Sequence, residues 1–150
     1  MEIRLIDDEL SLVPYYRNDE VSLAWYQDPD VCRQIDNTDM LYTLEKLHRK
    51  YDYFSSHGSC YYISYNGILV GDISLLDNGE IVEVVAKEYQ NQSIGSRCLL
   101  NIILLAKEKG MKKVHAKIYS FNHQSLKMAA KVGFEKVDDE FYEYEYVIKA

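Results

Sequence analysis

Over residues 60–86 the chain reads CYYISY, NG, ILVGDISLL, DNG and EIVEVVA, and the period of its apolar pattern falls from about 3.6 residues to 2. A period of two puts alternate side chains on opposite faces of an extended strand, so this stretch specifies strands. Asn66 and Gly67 tolerate the positive φ of a two-residue hairpin turn, and DNG at 77–79 makes a second turn. Three antiparallel strands in series are implied, and the rest of the chain must pack around them.

Ahead of this block, IRLIDDELSLVPYY alternates like a strand around Leu10, Leu12 and Val13, with Pro14 at its end or on an edge. DEVSLAWYQDPDV reads as a short helix capped by Asp19 and stopped before Pro29. A second helix over 43–56 carries Leu44, Leu47, Tyr51 and Phe54 at helical spacing, and His57 with Gly58 stops it. Behind the block, residues 94–110 form a long helix that buries Leu99, Ile102, Ile103 and Ala106. KKVHAKIY is then a strand, NHQSLKMAAKVG a shorter helix, and FEKV with FYEYEYVIK a closing strand pair. The order fits an α/β fold with a mixed, mostly antiparallel central sheet and helices on both faces.

The 150 residues match one ordinary domain, and no repeat, linker or composition shift divides 1–150. The formal charge of -7 opposes nonspecific nucleic-acid binding, which needs clustered Lys and Arg, and mildly favours cationic substrates. No apolar run approaches the roughly 20 residues of a membrane span, and MEIRLIDDEL lacks the features of a signal peptide, so a cytoplasmic protein without membrane attachment is expected. Cys32, Cys60 and Cys98 are odd in number and set in apolar context. They fit buried thiols better than disulfides, and neither they nor the four histidines show ligand spacing, so no metal is expected.

EYQNQSIGSRCLL, residues 88–100, is the chemically suggestive segment. A polar turn between a strand and a helix N-terminus suits an anion, because first-turn N–H groups have no intrahelical partner and the helix dipole is positive there. Gln90, Asn91, Gln92, Ser93 and Ser96 add neutral polar groups, Ile94 begins the apolar stripe, and Gly95 permits close backbone approach. Ser93 alone also suffices as an ordinary helix cap. A Walker loop and a dinucleotide fingerprint are both absent.

VAKEYQNQSIGSRCL resembles the pyrophosphate loop of the GCN5-related N-acetyltransferase (GNAT) superfamily, Gln/Arg-x-x-Gly-x-Gly/Ala, with Gln90 and Gly95 at its ends and Ser93 in place of the first glycine. NHQSLKMAAKVGF resembles the later helix of that superfamily, through Asn122, Ser125, Gly133 and Phe134. The resemblance extends to the order of elements over nearly the whole chain. It implies the acyl-CoA N-acyltransferase fold, acetyl-CoA as co-substrate, and direct transfer of an acetyl group to a primary amine on a small molecule or a peptide N-terminus. Val84, Val85 and Ala86 would pair with the pantetheine arm through their main chain, and dimers are common among similar proteins.

A general base need only deliver neutral amine. The candidates are Glu83, then Glu80 and Asp72, with a water chain as competitor. The tyrosine that many members place seven residues after the asparagine falls here on Ala129, which leaves Tyr119 as a substitute acid. Tyr142, Tyr144 and Tyr146 share a strand face, as core residues or as a substrate wall. Asp28, Asp30, Asp36 and Asp39 serve either as caps and surface charge or as an attraction for cationic substrates. The alternative reading is a non-catalytic acyl-CoA sensor or interaction module.

Overall fold

The computed structural model describes residues 1–138 and 143–149. Its strands are β1 (Arg4–Leu5), β2 (Leu10–Pro14), β3 (Gly58–Tyr65), β4 (Ile68–Leu76), β5 (Ile81–Val85), β6 (Lys113–Lys117), β7 (Glu135–Asp138) and β8 (Glu143–Val147). Its helices are α1 (Asp19–Trp25), α2 (Pro29–Asp36), α3 (Leu44–Ser56), α4 (Ile94–Glu108) and α5 (His123–Val132). The first five strands form an antiparallel sheet in chain order, and the last three form a second sheet in the order β6-β8-β7. Asn66 and Gly67, with φ of 51° and 82°, make the two-residue turn that joins β3 to β4.

Strand alternation divides the interior into two cores. Tyr61, Ile63, Ile73, Leu75 and Ile81 face Ile94, Cys98, Leu99 and Ile102 of α4, with Ala129 of α5 in the same cluster. Cys60, Tyr62 and Val84 face the other way, onto Trp25, Tyr26, Val31, Cys32, Leu47 and Tyr51 from the first three helices. Helices therefore cover both faces of one sheet.

Several local expectations are corrected. Pro29 opens α2 as well as closing the preceding segment, because its missing N–H costs nothing at a first helical position. Asp28 caps that helix through the N–H groups of Asp30 and Val31, so three helices, not two, precede the hairpin block. Asn18, not Asp19, is the α1 cap residue, and Asp19 instead meets His48 at 2.9 Å. Gly58 starts β3, where a Cβ would lie 2.3 Å from the Leu75 carbonyl oxygen, so strand approach and not helix termination requires it. Leu44 is exposed, leaving Leu47 and Tyr51 as the buried residues of α3. Tyr144 and Tyr146 pack against the α4-side core, while Tyr142 lies outside the described residues.

Candidate active site

β5 and β6 begin side by side and then part. Among the described residues the strand pairing between the two sheets is a single parallel bridge, Glu80 to His115, where the His115 N–H donates to the Gly79 carbonyl at 3.0 Å. In an antiparallel strand alternate residues turn their main-chain groups to the same side. The Glu80 carbonyl accepts from Leu76 of β4, and the Ala86 N–H donates to Val70 of β4, both at 2.8 Å. Val82 and Val84 share that orientation, so the main-chain groups of Ile81, Glu83 and Val85 face the opening. Of the three residues expected to offer their backbone, only Val85 does so. Val84 and Ala86 are bound to β4 and bury their side chains in the tyrosine-rich core.

The opening widens into a cavity of about 570 Å³ between β5, residues 116–119 at the end of β6, the start of α4, and α5. A 3-10 turn over Lys87–Tyr89 leads into the loop, where Asn91 and Ser93 both take positive φ, 63° and 65°. Left-handed residues among right-handed ones turn successive N–H groups into a concave anion-binding nest. Ser93 stands at the cap position of α4, but its side chain makes no capping bond. That overturns the ordinary-cap reading and explains the family pattern: the position wants a left-handed residue, and serine adopts that conformation at a cost of about 1–2 kcal/mol that glycine avoids. Gln92 folds back onto the Glu88 carbonyl at 3.1 Å, and Ser96 Oγ donates to the Ser93 carbonyl at 3.1 Å.

The cations of the loop and first turn are already engaged, Lys87 by Asp30 and Arg97 by Asp7 and Glu9. Lys117, Lys127 and Lys131 supply the basic lining, on the β6 and α5 side of the cavity. Asn122 caps α5 by accepting from the Ser125 N–H at 3.3 Å, and both residues line the cavity, as does the buried Ala129. Tyr119 also lines it, with its ring stacked on Phe121 at 5.6 Å.

Glu83 points toward the N-terminus of α4. Its Oε1 lies 3.4 Å from where a Cβ on Gly95 would sit, and Met128 Sδ lies 3.1 Å from the same point. Gly95 therefore makes room for the carboxylate as well as for an approaching anion. Glu83 Oε2 is buried with no hydrogen-bond partner among the described residues. Burial first, and then the nearby Asp72 charge, hold this carboxyl well above the usual carboxylate range.

The other two base candidates are placed differently. Glu80 lines the cavity at its narrow end, beside the bridge to β6. Asp72 is fully buried on the opposite face of the sheet, where its Oδ2 accepts from Tyr26 at 2.5 Å and Tyr51 at 2.8 Å, and it does not line the cavity. The four aspartates near α2 also have structural partners: Asp28 caps the helix, Asp30 meets Arg33 and Lys87, Asp36 meets Tyr42 and Lys46, and Asp39 meets Arg33.

Two lining residues, Gln34 and Ile35 of α2, are not marked by any sequence motif. Gln34 Nε2 donates to Gln90 Oε1 at 3.2 Å and Gln90 Nε2 donates to Gln34 Oε1 at 3.0 Å, across 56 residues of chain. No local pattern reports such a pair. Among the described residues no cluster of three or more His, Cys, Asp or Glu is arranged to hold a metal, the three cysteines are free and buried, and no helix is long and apolar enough to cross a membrane.

Comparison with known proteins identifies the family and the fold. The model of the acetyltransferase (GNAT) family matches residues 22–134. The chain belongs to this family of N-acetyltransferases. No curated protein sequence matches it. Similar solved structures include a ribosomal L7/L12 α-N-protein acetyltransferase in complex with coenzyme A, at 16% identity and a TM-score of 0.75 over 98% of each chain. Spermidine N-acetyltransferase from Vibrio cholerae, in complex with CoA and spermine, is similar at 12% identity and a TM-score of 0.78 over 94% of this chain and 96% of that one. The microcin C7 self-immunity acetyltransferase, in complex with acetyl-CoA and AMP, is similar at 14% identity and 0.74 over 95% and 94%. At these identities the likeness establishes the fold.

Proposed function

We propose that the chain is a single N-acetyltransferase domain that moves an acetyl group from acetyl-CoA to a primary amine by direct attack of the amine nitrogen on the thioester carbonyl. The observation that carries this reading is the opening beside β5. Exposed strand main chain, an anion-binding nest and a buried carboxylate converge on one cavity there. The Glu83 N–H and C=O and the Val85 N–H are the groups available to pair with an amide-bearing arm, while the nest at 91–96 and the α4 dipole suit a diphosphate. Lys117, Lys127 and Lys131 complement further phosphate charge.

Glu83 is assigned as the base. A carboxyl whose proton affinity is raised by burial can take a proton from an arriving ammonium, and Oε2 has no hydrogen-bond partner among the described residues. The C–N bond forms as the C–S bond breaks, and the departing thiolate takes a proton from Tyr119 or from solvent. Glu80, just ahead of β5, and Glu83 line the same cavity as Lys117, Lys127 and Lys131, so it offers acidic groups to an amine and basic groups to phosphates. Small polyamine-like molecules and a peptide N-terminus both present the required amine, as in the spermidine and L7/L12 enzymes of the same fold.

Calorimetric titration with acetyl-CoA, followed by a thiol-release assay over a panel of amines and N-terminal peptides, tests the reading. Binding and amine-dependent release are expected. Failure to bind acetyl-CoA would overturn it, and binding without release on any amine would turn it toward a CoA-binding module.

A further inference from the structure

The amide of Gln90 is fully committed inside the protein. A glutamine side chain has two N–H donors. One, on Nε2, goes to the Val85 carbonyl at 2.9 Å and the other to Gln34 Oε1 at 3.0 Å, while Oε1 accepts from Gln34 Nε2. The residue at the head of the loop motif therefore points its donors at β5 and α2, not into the nest. A second tie runs alongside, between Lys87 and Asp30 of α2. At eight residues α2 is too short to hold its shape alone; it is held by the buried Val31 and Cys32, by Asp36 on Tyr42 and Lys46, and, on the cavity side, by its ties to the segment 87–90. Gln34 and Ile35 meanwhile form one wall of the cavity.

We propose that the Gln34–Gln90 amide pair is a clasp that couples the cofactor loop to the α2 wall, with Gln34 as a positioning residue for the far side of the cavity. An anion seated in the nest fixes the loop backbone, the loop fixes the Gln90 side chain, and Gln90 fixes Gln34 and the helix that carries it. Coupling of this kind is reciprocal, so a ligand that holds α2 also tightens the loop. The same clasp takes the Val85 carbonyl out of use, which limits the arm of the co-substrate to the Glu83 main chain and the Val85 N–H. The inference rests on the proposed CoA site.

Hydrogen exchange of the wild-type protein and of Gln34→Ala, Gln90→Ala and the double variant, with and without saturating CoA, tests it. CoA is expected to slow exchange both in the loop and in α2 of the wild type. In each single variant the loop response persists, the α2 response is lost, and the double variant shows no more than either alone, as for two residues acting as one unit. Calorimetric CoA affinity is expected to stay within about threefold of wild type in Gln34→Ala, since the nest itself is main chain and Gln34 lies outside it. An α2 response that survives either substitution overturns the clasp. So does a loss of CoA affinity of about tenfold or more in Gln90→Ala alone, which would place the Gln90 donors on the phosphates. Wild-type protein that fails to bind CoA overturns the proposed function instead.

Discussion

Asp72 and Glu83 lie on neighbouring strands, one residue out of register, and face opposite sides of the same sheet. Asp72 is fully buried and Glu83 half-buried, and both have their proton affinity raised by burial. Their surroundings then diverge. Asp72 receives two tyrosine hydroxyls and lies near Lys50, whose ammonium sits 4.3 Å from the Tyr26 ring centroid. Glu83 receives no bond at Oε2 and opens onto a cavity. Each keeps one buried oxygen without a hydrogen-bond partner among the described residues, Asp72 Oδ1 and Glu83 Oε2, so what separates them is access: Asp72 is sealed among tyrosines that bind its other oxygen, and Glu83 lines the cavity.

Four substitutions test that contrast. Asp72→Ala strands two buried hydroxyls and the Lys50 charge, so a stability loss of about 3–5 kcal/mol is expected, read as a fall of the thermal midpoint by roughly ten degrees. Glu83→Gln is expected to lower amine-dependent thiol release about a hundredfold near neutral pH while leaving CoA affinity in place. Its effect on stability has the opposite sign to that of Asp72→Ala. A carboxyl with a raised folded-state pKa favours the fold below its ordinary value of 4.5, and that contribution is lost as pH rises through the folded-state value. The variant, which cannot ionise, should therefore melt higher than wild type at neutral pH, and the difference should close in acid. An unchanged rate would remove Glu83 from the role of base.

Tyr51→Phe takes one of two donors from Asp72 and should cost about 1.5 kcal/mol in urea unfolding, with activity unaffected. The smallest effect expected is electrostatic. The Asp72 charge raises the Glu83 proton affinity, so Asp72→Asn should move the acid limb of the activity profile toward lower pH. A limb that does not move would show the two carboxyls to be independent.

Much of this arrangement was legible in the chain itself. The hairpin block and the long helix from Ile94 each rest on signals within a few residues: alternation, turn glycines and apolar residues at helical spacing. What failed was equally local in origin. Pro29 is compatible with stopping one helix and with starting the next, and it does both: Asp28 caps α2, and Val31 and Cys32 of that helix pack into the tyrosine core. Ser93 fitted a cap by residue type, but the backbone there is left-handed and the hydroxyl is not used for capping.

By itself the sequence determined the strands, the loop, the two motif segments and the family, because periodicity, turn propensity and short motifs act over a handful of residues. The tertiary structure decided which carboxylate is paired and which is left open, which side of β5 faces the cavity, and that Gln34 meets Gln90. Those outcomes depend on register, where a one-residue shift exchanges the two sides of a strand, and on contacts between segments 46 to 56 residues apart, for which the chain carries no local signal.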